Sequence, residues 1–136
     1  MSGHNYRKFR LSDKFISQYE DKQVPWGPVG YVTYKRTYAR LLSERDPDAV
    51  GTEEWYQTCR RVIEGMFDMQ KRHVTELGLE WIDSKSQKTA KDAYDRLFNL
   101  KWTPPGRGLW MMGTKFVEER TAAGLFNCAF RSTKDI

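Results

Sequence analysis

Cys59 and Cys128 are the side chains of this sequence whose chemistry suits redox or nucleophilic work. Two cysteines are too few for a disulfide framework, and they lack the spacing of a zinc site. In a reducing compartment they start as thiols. Cys59 falls on an apolar stripe with Trp55, Val62, Ile63 and Met66, so it reads as a small buried hydrophobe. Cys128 stands in Leu125-Phe126-Asn127-Cys128-Ala129-Phe130, and spacing alone makes it a packed core residue too. His73 follows Lys71 and Arg72, with no second His, Cys or carboxylate at a ligand spacing, and reads as a surface histidine. There is no glycine-rich phosphate loop of either common form, no His-Glu-x-x-His and no Gly-x-Ser-x-Gly. The chain therefore holds no complete catalytic constellation, and no metal site is expected.

Charge gives a weaker signal. Lys and Arg total 23 against 18 acids, a formal net charge of +5, which suits a polyanionic partner. The excess is spread evenly: the first fifty residues carry 9 basic and 6 acidic groups, so no basic tail or block forms. With 136 residues and 39% hydrophobic content, the chain is long enough for one domain and wetter than the usual share of about 45–50%. No apolar run approaches the ~20 residues of a membrane span, and the basic start has no apolar segment behind it. A cytoplasmic protein without a membrane partner is the expectation.

The elements that must position these residues read as mainly helical. Ser12 caps a short helix over 12–22, with Phe15, Ile16 and Tyr19 at helical spacing. The Pro- and Gly-rich stretch 24–30 must turn, with Trp26 pinning it to the core. Tyr31, Tyr34, Tyr38, Leu41 and Leu42 form one face of a second helix, and 43–51 breaks it. The clearest helix runs over 52–77, with Thr52 as N-cap, Glu53 and Glu54 on its positive end and Gly78 closing it. Ser84-x-x-Gln87 resembles a capping box for a further helix to about 101. The stretch 103–108, with two prolines and two glycines, should be irregular. The run 125–130 then reads as a short buried strand, which needs partners the chain hardly offers. The expected fold is thus mainly α with a short C-terminal β segment, the beginning of a larger fold.

Several uncommon words agree with one family. Gly30-Tyr31-Val32-Thr33-Tyr34-Lys35-Arg36-Thr37-Tyr38-Ala39-Arg40, then Pro105-Gly106-Arg107-Gly108-Leu109-Trp110 with Gly113-Thr114, then Arg120-Thr121 and Asn127-Cys128, resemble the N-terminal region of adenosylcobalamin-dependent (class II) ribonucleoside-triphosphate reductases of the monomeric type. The likeness covers roughly 15–130, in the family's order. It implies that 1–103 is a helical N-terminal region and 104–136 the loop and first strand of an incomplete α/β, ten-stranded catalytic barrel. It further implies thiyl radical chemistry begun by adenosylcobalamin in the complete enzyme, with no cofactor bound by this segment alone. Cys128 would be one of a pair of redox-active cysteines that reduce the ribose 2′ position. Asn127, Met112, Gly113 and Thr114 would line the nucleotide pocket. The implied partners are the remaining C-terminal part of the reductase, a ribonucleoside triphosphate, a deoxynucleotide effector and a thioredoxin-type or dithiol reductant.

Two other readings stay open. A small basic helical module binding nucleic acid or protein would rest on Lys35, Arg36, Arg40, Arg60, Arg61, Lys71 and Arg72, with affinity falling steeply in salt. An inactive gene remnant would differ from the reductase segment only in whether the missing part exists.

Overall fold

The computed structural model describes residues 6–104 and 106–114. Among these residues five α-helices follow one another: α1 (Asp13–Ser17), α2 (Pro28–Thr37), α3 (Trp55–Glu76), α4 (Asp83–Phe98) and α5 (Gly106–Met111), with a 3₁₀ turn at Leu42–Glu44. Among the described residues there is no strand; Leu41 and Thr52 form an isolated antiparallel bridge. The expected strand at 125–130, with Asn127 and Cys128, lies outside the described residues.

Helix α3 is the axis of the fold because it buries two faces. One is apolar, carrying Trp55, Cys59, Val62, Ile63 and Phe67. The other is polar, carrying Thr58, Arg61, Glu64 and Asp68, all buried. Helix α4 packs antiparallel against the apolar face. Trp55 Nε1, at the start of α3, donates to the Phe98 carbonyl at the end of α4 (3.0 Å), and Tyr94 OH donates to the Tyr56 carbonyl (2.8 Å). Phe15, Tyr19, Tyr94 and Phe98 fill the space between α1 and α4 with edge-to-face ring contacts. Trp26 pins the 24–30 turn as expected, 4.9 Å from Trp55 and 5.3 Å from Tyr34 between ring centres.

The polar face of α3 is covered by the N-terminal segment, an extended strap running antiparallel to the helix. Asp68 accepts from Tyr6 OH (2.7 Å) and the Phe9 amide (2.9 Å), while Glu64 accepts from Arg10 and the Leu11 amide. An extended segment cannot satisfy its own amides, so carboxylates on the helix supply the acceptors. Burial would raise the Asp68 carboxyl, but hydrogen bonds from Tyr6, Arg72 and the Phe9 amide outweigh it and hold the pKa below its ordinary value. A depressed folded-state pKa stabilises above the unfolded value near ~3.9 and is lost as pH falls through the folded value. Chemical unfolding followed from pH 7 down to pH 2 should therefore show an acid limb that Asp68→Asn flattens. The same variant should lose about 1–3 kcal/mol at pH 7. An unchanged acid limb in Asp68→Asn would count against this anchor.

Several boundaries differ from the sequence-based expectation. The first helix stops at Ser17 and gives way to turns, rather than running over 12–22. Helix α2 starts three residues early, because Pro28 suits a first helical position, and ends at Thr37. Its expected apolar face does not form: of that stripe only Tyr34 is buried, whereas Leu41 is 54% exposed beyond the helix. The N-cap of α3 is Glu54 in a capping box with Gln57, not Thr52, whose hydroxyl accepts from Lys35 (2.9 Å). Glu53 lies before the helix and is buried. Helix α4 begins at Asp83 after Ile82, so Ser84 and Gln87 form no capping box; Gln87 instead donates to the Arg10 carbonyl (2.7 Å). Residues 106–108, expected to be irregular, open α5. Gly78 closes α3 with a positive φ of 76°, as expected.

Candidate functional site

Helix α5 is only six residues long and begins with glycine, which favours it poorly. What holds it is Arg61. This guanidinium, 1% exposed, donates to the carbonyls of Leu109 (2.9 Å), Trp110 (3.1 Å) and Met112 (2.7 Å), which would otherwise be orphaned at the helix end. Its other donors meet Glu53 at 2.8 and 3.1 Å. Glu53 is also buried, and takes further hydrogen bonds from Thr58 Oγ1 (2.9 Å) and the Arg40 amide (3.0 Å). Charge and hydrogen-bond demand are thus met on both sides, the condition under which a buried pair is tolerated.

The same clamp sets the chain that follows. Gly113 has φ 80° and lies so close to α3 that a Cβ on it would overlap the Arg61 carbonyl. The approach is mutual: a Cβ on Gly65 would stand 2.5 Å from the Gly113 nitrogen. Two glycines are needed where the turn meets the helix. Met112 packs into the core, and Thr114 is buried with its hydroxyl donating to the Met111 carbonyl (2.7 Å). Of the four residues expected to line a nucleotide pocket, Gly113 and Thr114 line a cleft of about 490 Å³, and Met112 lies behind it. Asn127 and Cys128 lie outside the described residues. The cleft also takes in Lys8 and Arg10 from the strap, Arg40, Glu44 and Arg45 around the 3₁₀ turn, and the Glu53–Arg61 pair.

Cys59 is fully buried, and burial, reinforced by Glu53 against the weaker pull of Arg61, pushes its thiol well up. It is chemically inert in the fold, as its place on the apolar stripe suggests. His73 is exposed in the last turn of α3. Among the described residues no three His, Cys, Asp or Glu side chains are grouped to hold a metal ion, and no helix is long and apolar enough to cross a membrane.

The seven cations of the basic-module reading do not form one surface. Arg61 is buried against Glu53; Arg60 pairs with Asp13 and Glu64, Arg72 with Asp68, Arg40 with Glu44 and Lys35 with Glu54. Sequence reasoning missed Arg61 and Glu53 as partners. The available signal was the spacing Arg61, Glu64, Asp68, a polar row at helical period beside the apolar stripe.

Comparison with known proteins adds the following. The family model of the ribonucleotide reductase alpha domain matches residues 11–114. The chain is 38% identical over 133 residues to a probable adenosylcobalamin-dependent ribonucleoside-triphosphate reductase of Dictyostelium discoideum, covering 96% of this chain and 17% of that protein. It is 38% identical over 130 residues to the adenosylcobalamin-dependent ribonucleoside-triphosphate reductase of Euglena gracilis, covering 93% of this chain and 17% of that one. A crystal structure of a B-12 dependent (class II) ribonucleotide reductase aligns with a TM-score of 0.68 and 32% identity, over 82% of this chain and 15% of that one. The chain therefore spans about a sixth of the length of the relatives it matches.

Proposed function

The chain belongs to the ribonucleotide reductase alpha domain family, and from that membership we propose that it is the N-terminal segment of an adenosylcobalamin-dependent ribonucleoside-triphosphate reductase. The observation that carries this reading is the match over 96% of the chain to a protein of that name. The geometry supports it further, because Arg61 and the two close-packed glycines hold Gly113 and Thr114 at the edge of a cationic cleft.

In this reading residues 1–103 form a helical platform, and 104–136 lead into the first strand of a catalytic barrel completed by the rest of the reductase. Cys128 and a second thiol from that remainder supply two electrons. Each thiol gives up its hydrogen, the two sulfurs join as a disulfide, and the 2′ hydroxyl of a ribonucleoside triphosphate leaves as water while hydrogen takes its place. A thioredoxin-type or dithiol reductant then restores the thiols. Asn127, Gly113 and Thr114, with Met112 behind them, shape the nucleotide pocket, and a deoxynucleotide effector acts on the complete enzyme. Cys59 is no candidate for the second thiol, being sealed inside the core.

Adenosylcobalamin, when bound to the complete enzyme, would supply the radical chemistry that starts the reaction. Among the described residues His73 stands alone on the surface and Cys59 is enclosed, so neither is placed to ligate the cobalt of that group. Its site belongs to the rest of the enzyme, and no step of this segment runs through it.

The test is to join or mix this chain with the remainder of the reductase and assay deoxynucleotide formation from ribonucleoside triphosphates, with adenosylcobalamin and a dithiol present. Product that depends on this chain is the expected result. Full activity without it, or none with both parts, overturns the reading.

A further inference from the structure

A second cleft, of about 610 Å³, opens between residues 19–27 and the start of α3. Tyr19, Trp55 and Phe98 are buried and form its floor, while the half-buried rings of Trp26 and Tyr56 and the exposed ring of Tyr31 stand at its edge. The rim is acidic. Glu20 and Glu54 line it, and burial together with the charges of Glu20, Glu54 and Asp21 pushes the Tyr56 hydroxyl up, so three carboxylates lie within electrostatic reach of that ring. Glu54 is engaged by Lys35 and by Tyr31 OH, each at 3.2 Å. The carboxylates of Glu20 and Asp21 make no hydrogen bond or ion pair with any described residue. Lys22, the cation on the lining, sets its ammonium over the Tyr19 ring at 4.5 Å. The aromatic surface thus already draws a cation from water.

We propose that this cleft receives an arginine side chain, presented by the part of the reductase polypeptide that this chain does not contain. A guanidinium stacks its plane on aromatic rings and forks to carboxylate oxygens, and so uses both features of the cleft. An ammonium acts as a compact point charge and gains less from the rings. An apolar occupant would cover Glu20 and Asp21 without compensating their charge, and an anionic one would be repelled by them. The choice of source rests on the proposed function: this chain spans about a sixth of its relatives, so most of their polypeptide lies outside it. The site itself rests on the cleft alone.

Titration of the whole 136-residue chain with N-acetylarginine amide, followed by the indole N–H resonances of the five tryptophans, tests it. Saturable shifts concentrated at Trp26 and Trp55 are expected. N-acetyllysine amide should bind at least about twofold more weakly. The double variant Glu20→Gln/Asp21→Asn should weaken arginine binding about threefold or more. Lys22→Ala, which frees the Tyr19 ring and removes a like charge, should strengthen it about twofold. Glu80→Gln, an exposed acid about 30 Å away along α3, should leave it unchanged. Circular dichroism of each variant checks the fold. Absence of saturable shifts overturns the proposal, as does equal binding of the lysine compound or equal weakening by Glu80→Gln, which marks diffuse charge attraction. Once the remainder of the reductase is joined, the Trp26 indole should no longer respond to the arginine compound, because the cleft is filled. A response as large as that of the segment alone overturns the source. No reading needs turnover, so failure here and failure of the reductase assay are separately visible.

Discussion

Replacing Arg61 with methionine should destabilise the chain by about 3–5 kcal/mol, the range for removing one partner of a buried ion pair. Methionine keeps much of the apolar volume but leaves the Glu53 carboxylate buried, with only Thr58 and the Arg40 amide as donors. It also strips three carbonyls, those of Leu109, Trp110 and Met112, of their shared donor. Each loss is of the kind that costs more than the original contact contributed. Against a typical total stability of about 5–15 kcal/mol the effect is large. The fault should be local first: α5 and the 112–114 turn should detach before α3 and α4 separate, because the apolar α3–α4 contact is untouched. Urea unfolding followed by circular dichroism reads the global loss, and amide hydrogen exchange at 109–114 reads the local one. The double variant Arg61→Met/Glu53→Gln should recover part of the loss by removing the stranded charge. A single Arg61→Met variant within about 1 kcal/mol of the parent would sink this account of the clamp.

Converting Cys128 to serine in the complete reductase should abolish repeated turnover with a dithiol, by roughly a thousandfold or more, the scale of losing a reacting group. Serine is close in size and can hydrogen-bond but cannot join a disulfide, so under the proposed function the two electrons for reduction at the 2′ position would have no source. Binding of the ribonucleoside triphosphate should persist, separating a chemical loss from a structural one. Cys59→Ala is the contrasting variant. Its thiol is fully buried on the apolar face of α3, so turnover should survive while stability falls modestly. Dithiol-dependent turnover of Cys128→Ser within about tenfold of the parent would remove Cys128 from the chemistry.

The parts of this chain that follow from local rules are legible in the order of its residues. The 3.6-residue period over 55–76 identifies α3 and places Cys59 on its buried side, since periodicity is a property of neighbouring residues. Gly78 and the prolines at 25 and 28 mark real punctuation for the same reason. The rare words shared with the class II triphosphate reductases point to the family, which the match over 11–114 bears out. What stays hidden depends on residues distant in sequence. The row Arg61, Glu64, Asp68 marks a polar face, but Arg60 stands at helical spacing from the same two carboxylates, so spacing does not say which arginine is enclosed: one is 1% exposed beneath α5 and the other reaches the surface. Glu53 resembles a helix-dipole residue because its partner lies eight positions away, across a turn. Residues 106–108 read as irregular because the donor that completes α5 comes from a helix some fifty residues earlier. Sequence alone determined the family, the main helices and the burial of Cys59. Only the tertiary structure decided which charges are buried in pairs and which are left facing a cleft, because neutralisation of a buried charge is settled by whatever lies beside it in space.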